Sequence, residues 1–147
     1  MTATPYGGHA AERVLGADPL ELVVILYEEL LSAIQEARRR MAAGQPLERA
    51  RSVSRALEIL AELAQSVNPQ ASPELAGRLL SLYSFLTERL QQGNFEQREQ
   101  PLAECEQIVR TLLEGWRGAA RQRYEAPLPE VGASAPAGEL PAINICG

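Results

Sequence analysis

Leu20, Val23, Tyr27, Leu30, Ile34, Ala37 and Met41 are separated by alternating steps of three and four residues. That repeat is one helix face turned toward the core of a bundle. The segment has a start signal in Asp18-Pro19-Leu20-Glu21. Asp18 can cap the free backbone N–H groups, Pro19 is pre-set for the first turn, and Glu21 can complete a capping box. Gly44 and Pro46 stop it. A second helix is predicted from about Pro46 to Val67, with Val53, Leu57, Leu60, Ala64 and Val67 in the same alternation, ended by Asn68-Pro69. A third opens at Ser72-Pro73-Glu74, carries Leu75, Leu79, Leu82, Leu86 and Leu90, and closes at Gly93-Asn94. A fourth begins near Pro101, because proline deep inside a helix would break it. Its stripe is Leu102, Cys105, Val109, Leu112 and Trp116, and it frays after Arg117-Gly118.

No stretch with strand period competes with these four helices. Similar lengths and short connections predict an all-α, antiparallel up-down four-helix bundle. Residues 18–125 form that domain. Residues 1–17, with three glycines, one proline and the lone Tyr6, read as a flexible arm. Residues 126–147 hold Pro127, Pro129, Pro136 and Pro141 among Ala, Gly and Ser, the composition of a disordered tail or linker. The tail ends in an apolar cluster, Leu140, Ile143, Ile145 and Cys146. Folding of that cluster back onto the bundle is the alternative to simple disorder.

The bulk numbers narrow the class. A chain of 147 residues is one domain with room for a real core. The net charge of -5 argues against nucleic acid as a partner. No apolar run approaches the roughly 18 residues of a membrane span, and Met1 to Gly8 has no secretory-signal pattern. Cys105 and Cys146 fit no metal spacing, so a reduced, cytoplasmic protein is expected.

Candidate chemistry is sparse. The single histidine, His9, lies in the arm, so a di-iron bundle site of the Glu-x-x-His kind is not expected. Glu28 and Glu29 read as part of a solvated face. Cys105 sits on an apolar stripe with no histidine to activate it. Arg38-Arg39-Arg40 suits the C-terminal end of a helix dipole. Neither a phosphate-binding glycine loop nor a nucleophile elbow occurs. No catalytic residue, metal or cofactor is expected, and the protein is not expected to be an enzyme.

What the sequence holds in surplus is apolar surface. With Val23, Tyr27, Leu30 and Ile34 facing a core, Leu22, Ile25 and Leu26 fall roughly 90–180° around the helix. The N-terminal half of the first helix is thus apolar nearly all round and must be covered on both sides. Ile59 and Leu63 widen the second stripe, and Phe85 lies about 110° off the third. Broad bundle faces, or an arm laid over them, are one explanation. A groove for another protein's apolar helical segment is the other.

Asp18-Pro19-Leu20-Glu21-Leu22-Val23-Val24-Ile25-Leu26-Tyr27-Glu28 resembles the first-helix signature of the flagellar export chaperone (FliS) family. Arg55 to Leu63, Leu82-Tyr83-Ser84-Phe85 and Leu112-Leu113-Glu114-Gly115-Trp116 are similar to later family segments, in order, and an isolated N-terminal tyrosine such as Tyr6 is typical. The resemblance covers residues 6–118. It implies a cytosolic helical bundle of a flagellated bacterium that binds the disordered C-terminal region of flagellin, prevents premature polymerisation and aids delivery to the flagellar type III export apparatus. It also implies that the arm can occupy part of the site when flagellin is absent. Export-gate components or another flagellar regulator are further partners to expect; nucleic acid and membrane insertion are not. The chain is expected to be a monomer or weak homodimer. The partner-binding set is Tyr6, Leu22, Ile25, Leu26, Ile59, Leu63, Tyr83 and Phe85. The alternative is a self-associating helical module without flagellin affinity.

Overall fold

The computed structural model describes residues 18–125. The arm of residues 1–17, with Tyr6 and His9, and the tail of residues 126–147, with Cys146, lie outside the described residues. Four helices follow one another: α1 (Pro19–Ala42), α2 (Pro46–Ser66), α3 (Pro73–Glu96) and α4 (Glu99–Glu125). α1 packs against α2 and α4, and α3 packs against the same two helices from the opposite side. The chain alternates in direction. Arg38 of α1 bonds Glu106 of α4, whereas Glu28, two to three turns earlier, is met by Arg117, farther along α4. This is the expected all-α up-down bundle.

Local chemistry sets the helix starts. Asp18 is extended at the N-cap of α1, and its Oδ1 accepts the Glu21 N–H at 2.9 Å. α1, α2 and α3 each carry proline in the first turn, where a missing N–H costs no helix bond. The Ser72 backbone is extended, but its hydroxyl makes no cap bond. Between α1 and α2, Gly44 turns the chain with φ 67°, a region open to glycine.

One aromatic contact crosses the bundle diagonal. Tyr27 of α1 is fully buried, with its ring centroid 6.4 Å from Tyr83 and 6.0 Å from Trp116. The Tyr27 and Tyr83 hydroxyls lie 2.8 Å apart, so a buried hydrogen bond joins α1 to α3. Around them Leu30, Ile34, Leu60, Leu86, Leu90, Leu102 and Val109 complete one contiguous core.

Three expectations need correction. Gly93-Asn94 does not end α3, which runs to Glu96 and closes at Gln97 with φ 54°. Gly93 is there because the next helix comes close. A Cβ at this position would sit 3.1 Å from the Arg98 carbonyl oxygen and 3.2 Å from both Pro101 and Leu102. α4 starts at Glu99 and not at Pro101, since the third residue of a helix has no intrahelical acceptor for its N–H to lose. α4 also continues past Gly118, because Ala119 and Ala120 still pack on the core. Within the stripes, Ala76, Tyr83 and Leu113 are the buried positions, and Leu75, Leu82 and Leu112 are half-buried beside them. Elsewhere the predicted rows are the buried ones: Leu20 to Ala37 on α1, Leu79, Leu86 and Leu90 on α3, and Leu102, Cys105, Val109 and Trp116 on α4.

The two kinds of glycine make opposite predictions. Gly93→Ala presses a methyl onto a backbone carbonyl and should cost about 1–2 kcal/mol net of its better helix propensity. Gly118→Ala meets nothing within 4 Å and should gain about 0.5–1 kcal/mol. Thermal melts of the two variants should therefore shift in opposite directions.

Candidate partner-binding surface

The structure divides the sequence-derived set. Leu26, Ile59, Leu63 and Tyr83 belong to the core cluster. Their rows explain it. Arg55, Ile59 and Leu63 are four residues apart on α2, and Arg55 reaches Glu29, so this row faces α1. Leu26 lies three residues from Glu29 on the matching flank of α1. The wheel centred on Val23 and Tyr27 missed this, because α1 packs α2 on one flank as well as α3 across the diagonal. Tyr83 is held inward by its bond to Tyr27. These four are walls of the core, not of an open groove.

Leu22, Ile25 and Phe85 are placed differently. Leu22 is half-buried against the core edge. Ile25 is only 2% exposed, yet it is not a member of the core cluster. It lies about 150° around α1 from the centre of the buried face. Phe85 is 41% exposed on α3, and Tyr6 lies outside the described residues.

Ionic bridges close some seams of the bundle and leave others open. Along α1–α4, Arg38 bonds Glu99 and Glu106, Gln35 bonds Glu106, and Arg117 bonds Glu28 at 2.9 Å. Along α1–α2, Arg55 pairs with Glu29. Arg49, almost buried, bonds Asn94 at 2.8 Å and ties α2 to α3. Across α3–α4, the described residues hold one ion pair, Arg89–Glu104 at 2.7 Å. Arg78, Leu82, Phe85 and Arg89 are spaced by four, three and four, so they form one row of α3. Glu104, Ile108 and Leu112 form the matching row of α4. The Arg89–Glu104 pair shows that the two rows meet. Beyond it the seam is apolar: Leu82, Ile108 and Leu112 are half-buried and Phe85 is exposed. The sequence reading had placed Leu82 and Leu112 in the core and passed over Ile108. The signal available was the row shared with Phe85.

The titrating groups do structural work. Burial pushes the Glu106 carboxyl up, but bonds from Arg38, Arg110 and Gln35 outweigh it and hold the group below its ordinary value of 4.5. Burial pushes the Cys105 thiol up to about 12, and its Sγ donates to the Leu86 carbonyl at 3.8 Å. A thiol so protonated is no nucleophile. Among the described residues no cluster of His, Cys, Asp and Glu could hold a metal, and no helix is long and apolar enough to cross a membrane. What this geometry can do is bind an apolar segment.

A helical bundle with unspent apolar faces and inert titrating groups is a protein-binding module. The family model described as flagellar protein FliS matches residues 2–123, and the chain belongs to that family of flagellar secretion chaperones. It is a family of chaperones, not of enzymes. The chain is 29% identical to the flagellar secretion chaperone FliS of Escherichia coli (strain K12), over 71% of this chain and 77% of that protein. It is 27% identical to the Salmonella typhimurium protein of the same name, over 71% of this chain and 78% of the relative. The Bacillus subtilis (strain 168) flagellar secretion chaperone FliS is also 27% identical, over 78% of this chain and 85% of its own length.

Two measurements check the electrostatics. A depressed folded-state value means that Glu106 contributes stability above the usual carboxylate range and loses it as pH falls through the folded value. Glu106→Gln should lower the melting temperature at neutral pH, by under about 1 kcal/mol of stability for a partly exposed pair. The gap to the parent should close as pH falls below about 4. In a Cys146→Ser chain, Ellman's reagent at pH 8 should release no chromophore until denaturant exposes Cys105.

Proposed function

We propose that this chaperone works in the bacterial cytosol and binds the disordered C-terminal region of flagellin. By covering that segment it prevents premature polymerisation, and it delivers flagellin to the flagellar type III export apparatus. The observation that carries this reading is Ile25. It is kept from water although it stands outside the core cluster, which supports a second apolar contact face on that side of α1. A helix apolar all round needs cover on both sides. Leu22 borders the same face, and Phe85 marks a second apolar strip on α3. Ordering a disordered segment costs free energy, and apolar burial at roughly 25 cal/mol per Å² is what offsets it. No chemical step is required. The family membership and the names of the relatives support flagellar secretion as the setting.

Titration calorimetry with the C-terminal segment of flagellin from the same genome tests this. Saturable one-to-one binding with a negative heat-capacity change is expected. Ile25→Asp should weaken it by about 10–100-fold, equivalent to about 1.4–2.8 kcal/mol. Ile25 is buried, so loss of binding counts only in a variant whose helical content and cooperative melt are retained, and Phe85→Asp, at an exposed position, repeats the test without burying a charge. Absence of binding by a folded protein at tens of micromolar would sink the reading. Concentration-dependent dimerisation in sedimentation would then favour a self-associating module.

A further inference from the structure

The open α3–α4 seam has a candidate occupant within the same chain. The family match ends at residue 123 and α4 ends at Glu125, so residues 126–147 follow directly on one of the two helices that form this seam. We propose that the apolar end of this tail, Leu140, Ile143 and Ile145, docks along the strip formed by Leu82, Phe85, Ile108 and Leu112. The tail would thereby act as a built-in competitor for apolar segments at that strip.

Two features support this pairing. The first is reach. From Glu125 back to Ile108 is 17 helical residues, about 26 Å along α4. The 14 residues 126–139 can span up to about 46 Å when extended, so the apolar cluster can return to the level of Ile108.

The second is spacing. Leu140 precedes Pro141, which biases it toward extended backbone. In an extended segment Ile143 and Ile145 point to the same side, about 6.6 Å apart. Ile108 and Leu112, four residues apart on a helix, are separated by about 6 Å along its axis. Two side chains can thus meet two.

The test uses the full chain and needs no flagellin, so its failure is distinguishable from failure of the chaperone reading. Cys105 is buried with its thiol pushed up to about 12, so a maleimide nitroxide at neutral pH goes to Cys146. Paramagnetic broadening of backbone amides then maps where the tail spends its time. Selective loss of intensity at Leu82, Phe85, Ile108 and Leu112 is expected. Phe85→Asp should abolish it, and so should the double variant Ile143→Asp, Ile145→Asp, which leaves every residue of the bundle unchanged. No selective broadening, or broadening centred on Leu22 and Ile25, would overturn the proposal. Mixing isotope-labelled, spin-free chains with spin-labelled, isotope-free chains settles the source. Broadening of the seam in that mixture at the same strength would mean a second copy's tail occupies it, and would also overturn the proposal.

Discussion

The N-terminal half of α1 is apolar nearly all the way round, and the bundle is arranged to satisfy that one helix. A helix of this kind cannot lie on a surface with one face in water. α2 and α4 cover its flanks, and Tyr27 packs on Trp116 of α4 and reaches across the diagonal to Tyr83 of α3. The hydrogen bond between the two tyrosine hydroxyls adds direction to a contact that burial alone would leave free to slide. Three sides of α1 are used in this way. The fourth carries Ile25, which is kept from water although it stands outside the core cluster.

The arginine bridges divide the rest of the surface. Exposed ion pairs add little to stability, so their worth lies in orientation. A guanidinium presents several donors in a fixed fork, and Arg38 uses this to hold Glu99 and Glu106 one to two turns apart on α4. The bridged seams fix α1 against its neighbours. The α3–α4 seam has one such bridge at one end, which leaves Phe85 and the half-buried residues beside it in contact with solvent. Glu106 serves to orient α4 through Arg38, and Cys105 is buried in the core.

The helix count, their order and the all-α class were legible in the three-four alternation and in the proline-marked starts, because both are local. Family membership was legible in the Asp18–Glu28 segment, where nearly every position has its own demand to meet. The surplus of apolar residues on α1 was legible as well, and Ile25 is kept from water outside the core cluster. Leu26, Ile59 and Leu63 were drawn into the candidate surface by a wheel that treats each helix alone, and Tyr83 by the resemblance of its segment. They are core residues because each faces a neighbour the wheel does not contain.

By itself, then, the sequence determined where helices start, which residues are apolar and how much apolar surface must be covered. These follow from backbone donors without acceptors and from the cost of wetting hydrocarbon, which act within a few residues. The tertiary structure alone decided the finer facing. Ala76, Tyr83 and Leu113 are buried in place of the leucine beside each, while Leu79, Leu86, Cys105 and Val109 are buried as the alternation has them; such a choice depends on the neighbouring helix and not on the local pattern. It also decided the continuation of α3 through Gly93, where a backbone carbonyl and Pro101 leave no room for a Cβ. Such close approaches join residues distant in the chain, and no local pattern records them.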